Sequence, residues 1–421
     1  NVTLAASNIK TYAGSKISTS TIPNVGGTDS YGKVKLVTAD GVNFTFYNNG
    51  AVKEVSDVAA STDKMIIGLN GTIESGHIDV RNSSVHNDSE INIAKATLKA
   101  TKAEIGNDGN IWLTANNKIL IEDSKLETTN YSDAAAKRDK GNIKISANKK
   151  VSIANTDINA VGNVDITSVQ DDIAFDNSRI NNGHGSDISV NVGTADAVAK
   201  IGNVTLTAGK TASVQNSSEI VGKNVTIKGG ERAQAVNSKI ASYGDIDLIS
   251  DGDMVWTDNA DLKAQGNINA TANNGYLLLN DSIFTAKNYI NLKSKDSVTS
   301  AKLNGSEFTA DKTNIESTEK SVLLTSTNQF KDNSAIDLTG SSLSLKGAEN
   351  VEINSGTDLK TSRIDLEAGK NIILTAKEGD VTLTDSTNFI GAEKIYIEAA
   401  NDIKSADCAT INLNNIQTNL K

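Results

Sequence analysis

Few residues in this chain could carry chemistry. There are three histidines, His77, His86 and His184, and one cysteine, Cys408. No second His or Cys stands at a spacing that would make a tetrahedral zinc site, and His77 and His86 read as surface residues. A lone cysteine forms no internal disulfide, and a small buried thiol is its ordinary role. The acidic pairs Asp171-Asp172 and Asp251-Gly252-Asp253 are the candidates for a general acid and base or for calcium ligation. Asp beside Gly is, however, the ordinary chemistry of a tight turn. The stretch Gly27-Thr28-Asp29-Ser30-Tyr31-Gly32-Lys33-Val34 has the glycine and lysine spacing of a phosphate-binding loop. Val34 stands where a hydroxyl would hold magnesium, and no helical pattern follows. Serines abound, yet there is no Gly-x-Ser-x-Gly elbow and no positioned base to activate one. The chain therefore reads as non-enzymatic, with no catalytic residue, no cofactor and no metal. What remains are side chains suited to contact with a partner: Trp112, Tyr131, Arg138 and His184.

The elements that would position these residues are repeats. Gly-Asn followed by an alternating apolar run appears as Gly109-Asn110-Ile111-Trp112-Leu113-Thr114-Ala115, and again in the runs that begin Gly141-Asn142-Ile143, Gly162-Asn163-Val164 and Gly202-Asn203-Val204. Looser copies lie at Val225, Ile246, Ile268, Ile290, Ile364 and Val381. The first apolar position recurs at 204, 225, 246, 268 and 290, in steps of 21, 21, 22 and 22 residues. Between copies lies a second signature of a small polar residue, a polar or charged one and an aliphatic: Ser124-Lys125-Leu126, Thr156-Asp157-Ile158, Ser178-Arg179-Ile180, Ser218-Glu219-Ile220, Ser238-Lys239-Ile240, Ala260-Asp261-Leu262 and Ser306-Glu307-Phe308. A third apolar stretch sits between them, as in Ile119-Leu120-Ile121 and Leu277-Leu278-Leu279.

Alternation with period two makes these runs strands, so Ile111, Leu113 and Ala115 share one face and Trp112 and Thr114 the other. Helical spacing is nowhere sustained. Gly-Asn and Gly-Asp corners tolerate the sharp turns between strands. The expected fold is all-β: a single-stranded right-handed parallel β-helix, about 21 residues and three strands per coil, with like residues stacked at about 4.8 Å. Roughly sixteen coils at that spacing would give a rod on the order of 75–80 Å.

Composition fits. Aromatic residues make up only 4% and there is one proline, so the core must stack small aliphatic side chains. A net charge of −10 argues against nucleic acid as a partner. No run of apolar residues is long enough to span a membrane as a helix.

Two irregularities stand out. The steps from Ile111 to Ile143 and from Val164 to Val204 are 32 and 40 residues, placing inserts near 129–140 and 181–201. Both follow the second signature, so they should leave the same corner one coil apart. Inserts gathered on one face of a repeat protein are where binding surfaces often lie; a lengthened loop or a degenerate coil would give the same spacing. The first contains Tyr131 and Arg138, the second His184. Residues 1–70 depart from the repeat and are read as an amino-terminal cap or small β element, with Asn48-Asn49-Gly50 as a hairpin turn, whereas 71–421 form the β-helix. The start at Asn1, and a repeat that runs on to Lys421, are read as a processed chain or part of a longer one.

The Gly-Asn-Ile-x-Leu-x-Ala runs, alternating with segments such as Asn237-Ser238-Lys239-Ile240, resemble the repeats of filamentous-haemagglutinin-like large exoproteins over roughly Ile105 to Ile416. The resemblance implies export by the two-partner route through an outer-membrane transporter, a secreted or cell-surface location, and a role in attachment and virulence. The implied partner is a host or bacterial cell-surface protein or glycan. That family's Asn-Pro-Asn-Gly-type secretion signature is absent, as is any Arg-Gly-Asp, so no functional residue carries over. Polysaccharide lyases and hydrolases also use β-helices and are the alternative; a passive spacer is a third reading.

Overall fold

The computed structural model describes residues 2–5, 8–10, 16–18, 21–22, 30–31, 33–38, 43–47, 64–68, 72–75, 77–82, 90–101, 110–129, 141–182, 202–302, 307–325, 336–338, 342–405 and 410–414. All regular structure among them is β-strand, and there is no helix. Three parallel sheets are formed by strands that follow one another around each coil, giving a right-handed parallel β-helix with three strands per coil. The chain divides into two compact units, Asn1–Ser189 with Ala195–Lys228, and Val190–Thr194 with Gly229–Lys421.

In the first unit, the first sheet holds His77–Asn82, Ile111–Ala115, Ile143–Ala147, Val164–Ser168 and Val204–Ala208. Their register is the one the repeat predicts, with Ile111 over Ile143, Ile143 over Val164 and Val164 over Val204. The second sheet runs through Lys118–Glu122, Val151–Ala154 and Ile173–Asp176. The third runs through Lys125–Thr129, Asp157–Ala160 and Arg179–Asn182. In each strand alternate positions point inward, and Ile111, Leu113, Ile143, Ile145, Val164 and Ile166 have no exposed surface. Each coil buries its aliphatic side chains only against the coils on either side, as expected of a solenoid.

Strands earlier in the chain join the same sheets. Val2–Ala5 pairs in parallel with Lys33–Thr38, which pairs with His77–Asn82. Asn43–Tyr47 pairs in parallel with Lys64–Gly68, the next strand among the described residues, with Phe44 opposite Met65. Asn48-Asn49-Gly50, read as a hairpin turn, lies outside the described residues. One antiparallel pair, Thr21–Ile22 with Ser30–Tyr31, is also present.

In the second unit, Ile246, Ile268 and Ile290 stack in order. Trp256 is fully buried over Ala235 and under Leu279, so small residues on one coil make room for the ring on the next. Phe284 and Phe308 stack inward at 5.5 Å. Beyond these coils the corner changes. Leu359–Ala368 and Val381–Ile390 run as ten-residue strands bent at Arg363 and Asp385, whose φ angles are 51° and 50°. Val381 stacks on Leu359 and Ile403, whereas the residue over Ile364 is Thr387. The Gly379-Asp380 before Val381 imitates the first signature but lies at a different corner, which corrects the placement of Val381 among the first-sheet copies.

Candidate binding surface

The two sequence signatures are hydrogen-bond devices. The Asn of Gly-Asn forms a ladder: Asn110 Oδ1 accepts the Asn142 backbone N–H at 2.8 Å, Asn142 accepts that of Asn163 at 2.7 Å, and Asn163 that of Asn203 at 2.8 Å. Each corner donor that would otherwise lack a partner is satisfied one coil away. Glycine precedes Asn because the coils meet there; a Cβ on Gly202 would lie 2.1 Å from the Gly162 carbonyl oxygen.

The second signature builds a hydroxyl ladder. Ser178 Oγ donates to the Asp176 carbonyl at 2.7 Å and accepts the Thr156 N–H at 3.0 Å; Thr156 and Ser124 repeat this one and two coils earlier. The residue before each hydroxyl, Asp123, Asn155, Asn177, Asn237 or Asp281, has a φ between 40° and 47°. That is the left-handed region, which Asn and Asp tolerate best after glycine.

Ladders also cover the outer surface. On the first sheet of the second unit, Asn269 Nδ2 donates to Asp247 Oδ1 at 2.9 Å, Asn291 to Asn269 at 2.9 Å and Asn314 to Asn291 at 2.7 Å. Beside them alternate Lys293–Glu316 and Lys346–Glu367 ion pairs at 3.2 and 2.8 Å.

The acids considered for catalysis are committed to such contacts. Asp172 Oδ1 accepts the Thr211 N–H at 3.0 Å and Asp171 pairs with Lys210 at 3.2 Å. Asp251 accepts from Asn273 at 2.9 Å, while Asp253 accepts the Tyr276 N–H at 3.3 Å and faces Arg232 at 3.5 Å. Among the described residues no group of three or more His, Cys, Asp or Glu side chains comes together to hold a metal ion.

Of the candidate contact residues, Trp112 is described. It lies half-buried on the outer face of Ile111–Ala115, in one column with Lys144, Asp165 and Thr205. Asp165 is the chemically distinctive member. Burial holds its carboxyl above the usual carboxylate range, against the opposing pull of the Lys144 charge and the Thr205 hydroxyl. The result is an aromatic ring, a cation, a partly desolvated acid and a hydroxyl along one outer strip. The sequence predicts the outward ring; the Asp165 column needed the coil register to be seen.

Tyr131, Arg138, His184, His86 and Cys408 lie outside the described residues, as do the insert segments 130–140 and 183–201. Their bases are described. The first leaves after Lys125–Thr129 and the second after Arg179–Asn182, at the same corner but two coil steps apart, with the plain turn between Ala160 and Val164 separating them. Thr128 Oγ1 pins that corner, donating to the Gly141 carbonyl at 2.7 Å and accepting the Val161 N–H at 3.1 Å.

Comparison of the chain with family models, with curated proteins and with solved structures finds no match to any of them.

Proposed function

We propose that this chain is a structural and binding stalk of a secreted or surface-displayed bacterial adhesin of the filamentous-haemagglutinin-like kind, exported through an outer-membrane transporter and contacting a cell-surface protein or glycan. The observation that carries this reading is how the polar residues are used. The corner Asn, Ser and Thr and the paired acids bond from coil to coil, which serves length and regularity rather than a reacting centre. The Trp112–Lys144–Asp165–Thr205 strip and the two interrupted corners are the places where contact would be made. The repeat resemblance supplies the export route and location.

The test is adhesion of beads coated with the purified chain to epithelial and bacterial cells and to a glycan array. Shortening both interrupted corners to the three-residue turn found at 161–163, and changing Trp112→Ala, should each leave the melting temperature nearly unchanged and reduce bead retention several-fold. Absence of retention by the parent chain on every surface, or equal retention by all variants, would overturn the binding role. Turnover of a polysaccharide that disappears in Asp171→Ala or Asp253→Ala would overturn the non-enzymatic reading.

A further inference from the structure

The outer face of the second sheet differs between the two units. In the first unit its central column from Asn92 onward is Asn92, Leu120, Ser152, Ala174 and Ser213, polar or small apart from one leucine. In the second unit the same column starts at the polar Gln234 and continues through Val255, Leu278, Thr299, Leu323, Glu352, Ile373 and Tyr396, one residue from each of the seven coils that follow Gln234. These side chains are half-buried, and Tyr396 is 50% exposed. The strands that carry them read as continuous apolar runs, Met254-Val255-Trp256, Leu277-Leu278-Leu279, Val322-Leu323-Leu324, Ile372-Ile373-Leu374 and Ile395-Tyr396-Ile397. Such runs are characteristic of parallel strands covered on both faces.

We propose that this face of the second unit packs against the same face of a second copy of the chain, with the coil order of the two copies antiparallel and the two-fold axis at Leu323. The arrangement goes beyond the adhesin reading and does not depend on it. Three observations select it. Leu323 is the fourth of the seven positions from Val255 to Tyr396, so a two-fold there sets Val255 against Tyr396, Leu278 against Ile373 and Thr299 against Glu352, and leaves the polar Gln234 beyond the paired face. The one charge in the column thus meets a hydroxyl. Running the coils in the same order would set Glu352 against Glu352, two like charges in a desolvated interface.

Second, the flanking column agrees. Asp253 and Lys394 lie two residues before Val255 and Tyr396 on the same face, and the antiparallel two-fold brings each Asp253 opposite the other copy's Lys394.

Third, the area is sufficient. Seven strands at about 4.8 Å and about five residues at about 3.3 Å cover on the order of 500 Å² per copy. Roughly 1,000 Å² in total is the lower bound of a specific interface, which describes a reversible dimer.

Sedimentation equilibrium of the whole chain tests this, over a concentration series up to about 100 µM. The expected result is a reversible monomer–dimer equilibrium that Leu278→Lys weakens at least about 30-fold, because a lysine is placed in the apolar centre. Leu120→Lys, in the equivalent column of the first unit, should leave it unchanged. Far-UV circular dichroism and melting of each variant confirm folding. With Cys408→Ser as background, Leu323→Cys should form a disulfide-linked homodimer under mild oxidation. Val255→Cys and Tyr396→Cys should link only when mixed. A monomer throughout the series, a dimer indifferent to Leu278→Lys, or self-linking of Val255→Cys would each overturn the proposal.

Discussion

Asp165 and Asp380 are both outer-surface carboxylates, yet their surroundings move their proton affinities in opposite directions. Burial raises that of Asp165, whereas the Lys404 ammonium and the Asp402 backbone N–H lower that of Asp380. A carboxylate whose folded pKa is raised opposes folding once ionised, so its unfavourable contribution is present at neutral pH and disappears as pH falls. Asp165→Asn should therefore raise the melting temperature at about pH 7, with the gain vanishing below about pH 4. Asp380 has the reverse sign. Its contribution is present above the unfolded pKa of about 3.9 and is lost as pH falls through its lower folded value. Asp380→Asn should lower the melting temperature at neutral pH and make no difference at the acid end. Thermal melts of both variants across that range check the pair; parallel shifts at every pH would mean that neither carboxylate's ionisation matters. At Ser178 the relevant group is a hydroxyl that serves two coils at once. Ser178→Ala leaves the buried Thr156 N–H without its acceptor and should destabilise by about 1–3 kcal/mol in denaturant titration.

At the scale of the element, the sheets are held by complementary volumes on adjacent coils. Trp256 fills the core above Ala235, so Trp256→Ala should destabilise by about 3–5 kcal/mol, and Ala235→Leu, which forces a larger side chain under the ring, by about 1–3 kcal/mol. Equilibrium unfolding measures both, and a neutral Ala235→Leu would mean that the core there is not close-packed. The three-strand coil was legible in the sequence because alternation and the corner residues repeat together: Asn142 and Asn163 mark one corner, Ser124 and Ser178 another, and each has a definite inter-coil bond. Other features were less legible for physical reasons. In Leu359–Ala368 and Val381–Ile390 the turn is a single left-handed residue, Arg363 or Asp385, with no glycine to mark it, so the strand boundary vanishes from the pattern. Asn43–Tyr47 alternates just as a hairpin strand does, and only the register shows that it pairs in parallel with Lys64–Gly68. Trp112 was identifiable as outward from its neighbours, but Asp165 joined it only through a register that spans 53 residues of chain. The pairing of faces in the second unit likewise depends on which single residue of each apolar triplet points out.

At the scale of the whole molecule, the question is how far a local change travels. Nearly all stabilising contacts described here join a residue to its equivalent one coil away: the Asn ladder, the hydroxyl ladder, the inward aliphatic stacks and the outer ion pairs. Free energy in such an array is close to a sum of nearest-neighbour terms, and coupling decays over a few repeats instead of spreading through a common core. A destabilised coil should then open with its neighbours while distant coils keep their protection. Hydrogen exchange followed by mass spectrometry tests this on Trp256→Ala. Exchange should accelerate in Arg232–Val236, Asp253–Thr257 and Leu277–Asn280, which stack in order, and fade over the adjoining coils. Peptides from Ile143–Ala147, Val151–Ala154 and Val164–Ser168 in the first unit should exchange as in the parent chain. Uniform acceleration across both units would show one cooperative body and contradict the additive picture. The expected locality also suits the proposed role, because a stalk with additive coils tolerates insertions such as those at 130–140 and 183–201 without loss of register, which Ile111 over Ile143 and Val164 over Val204 already display.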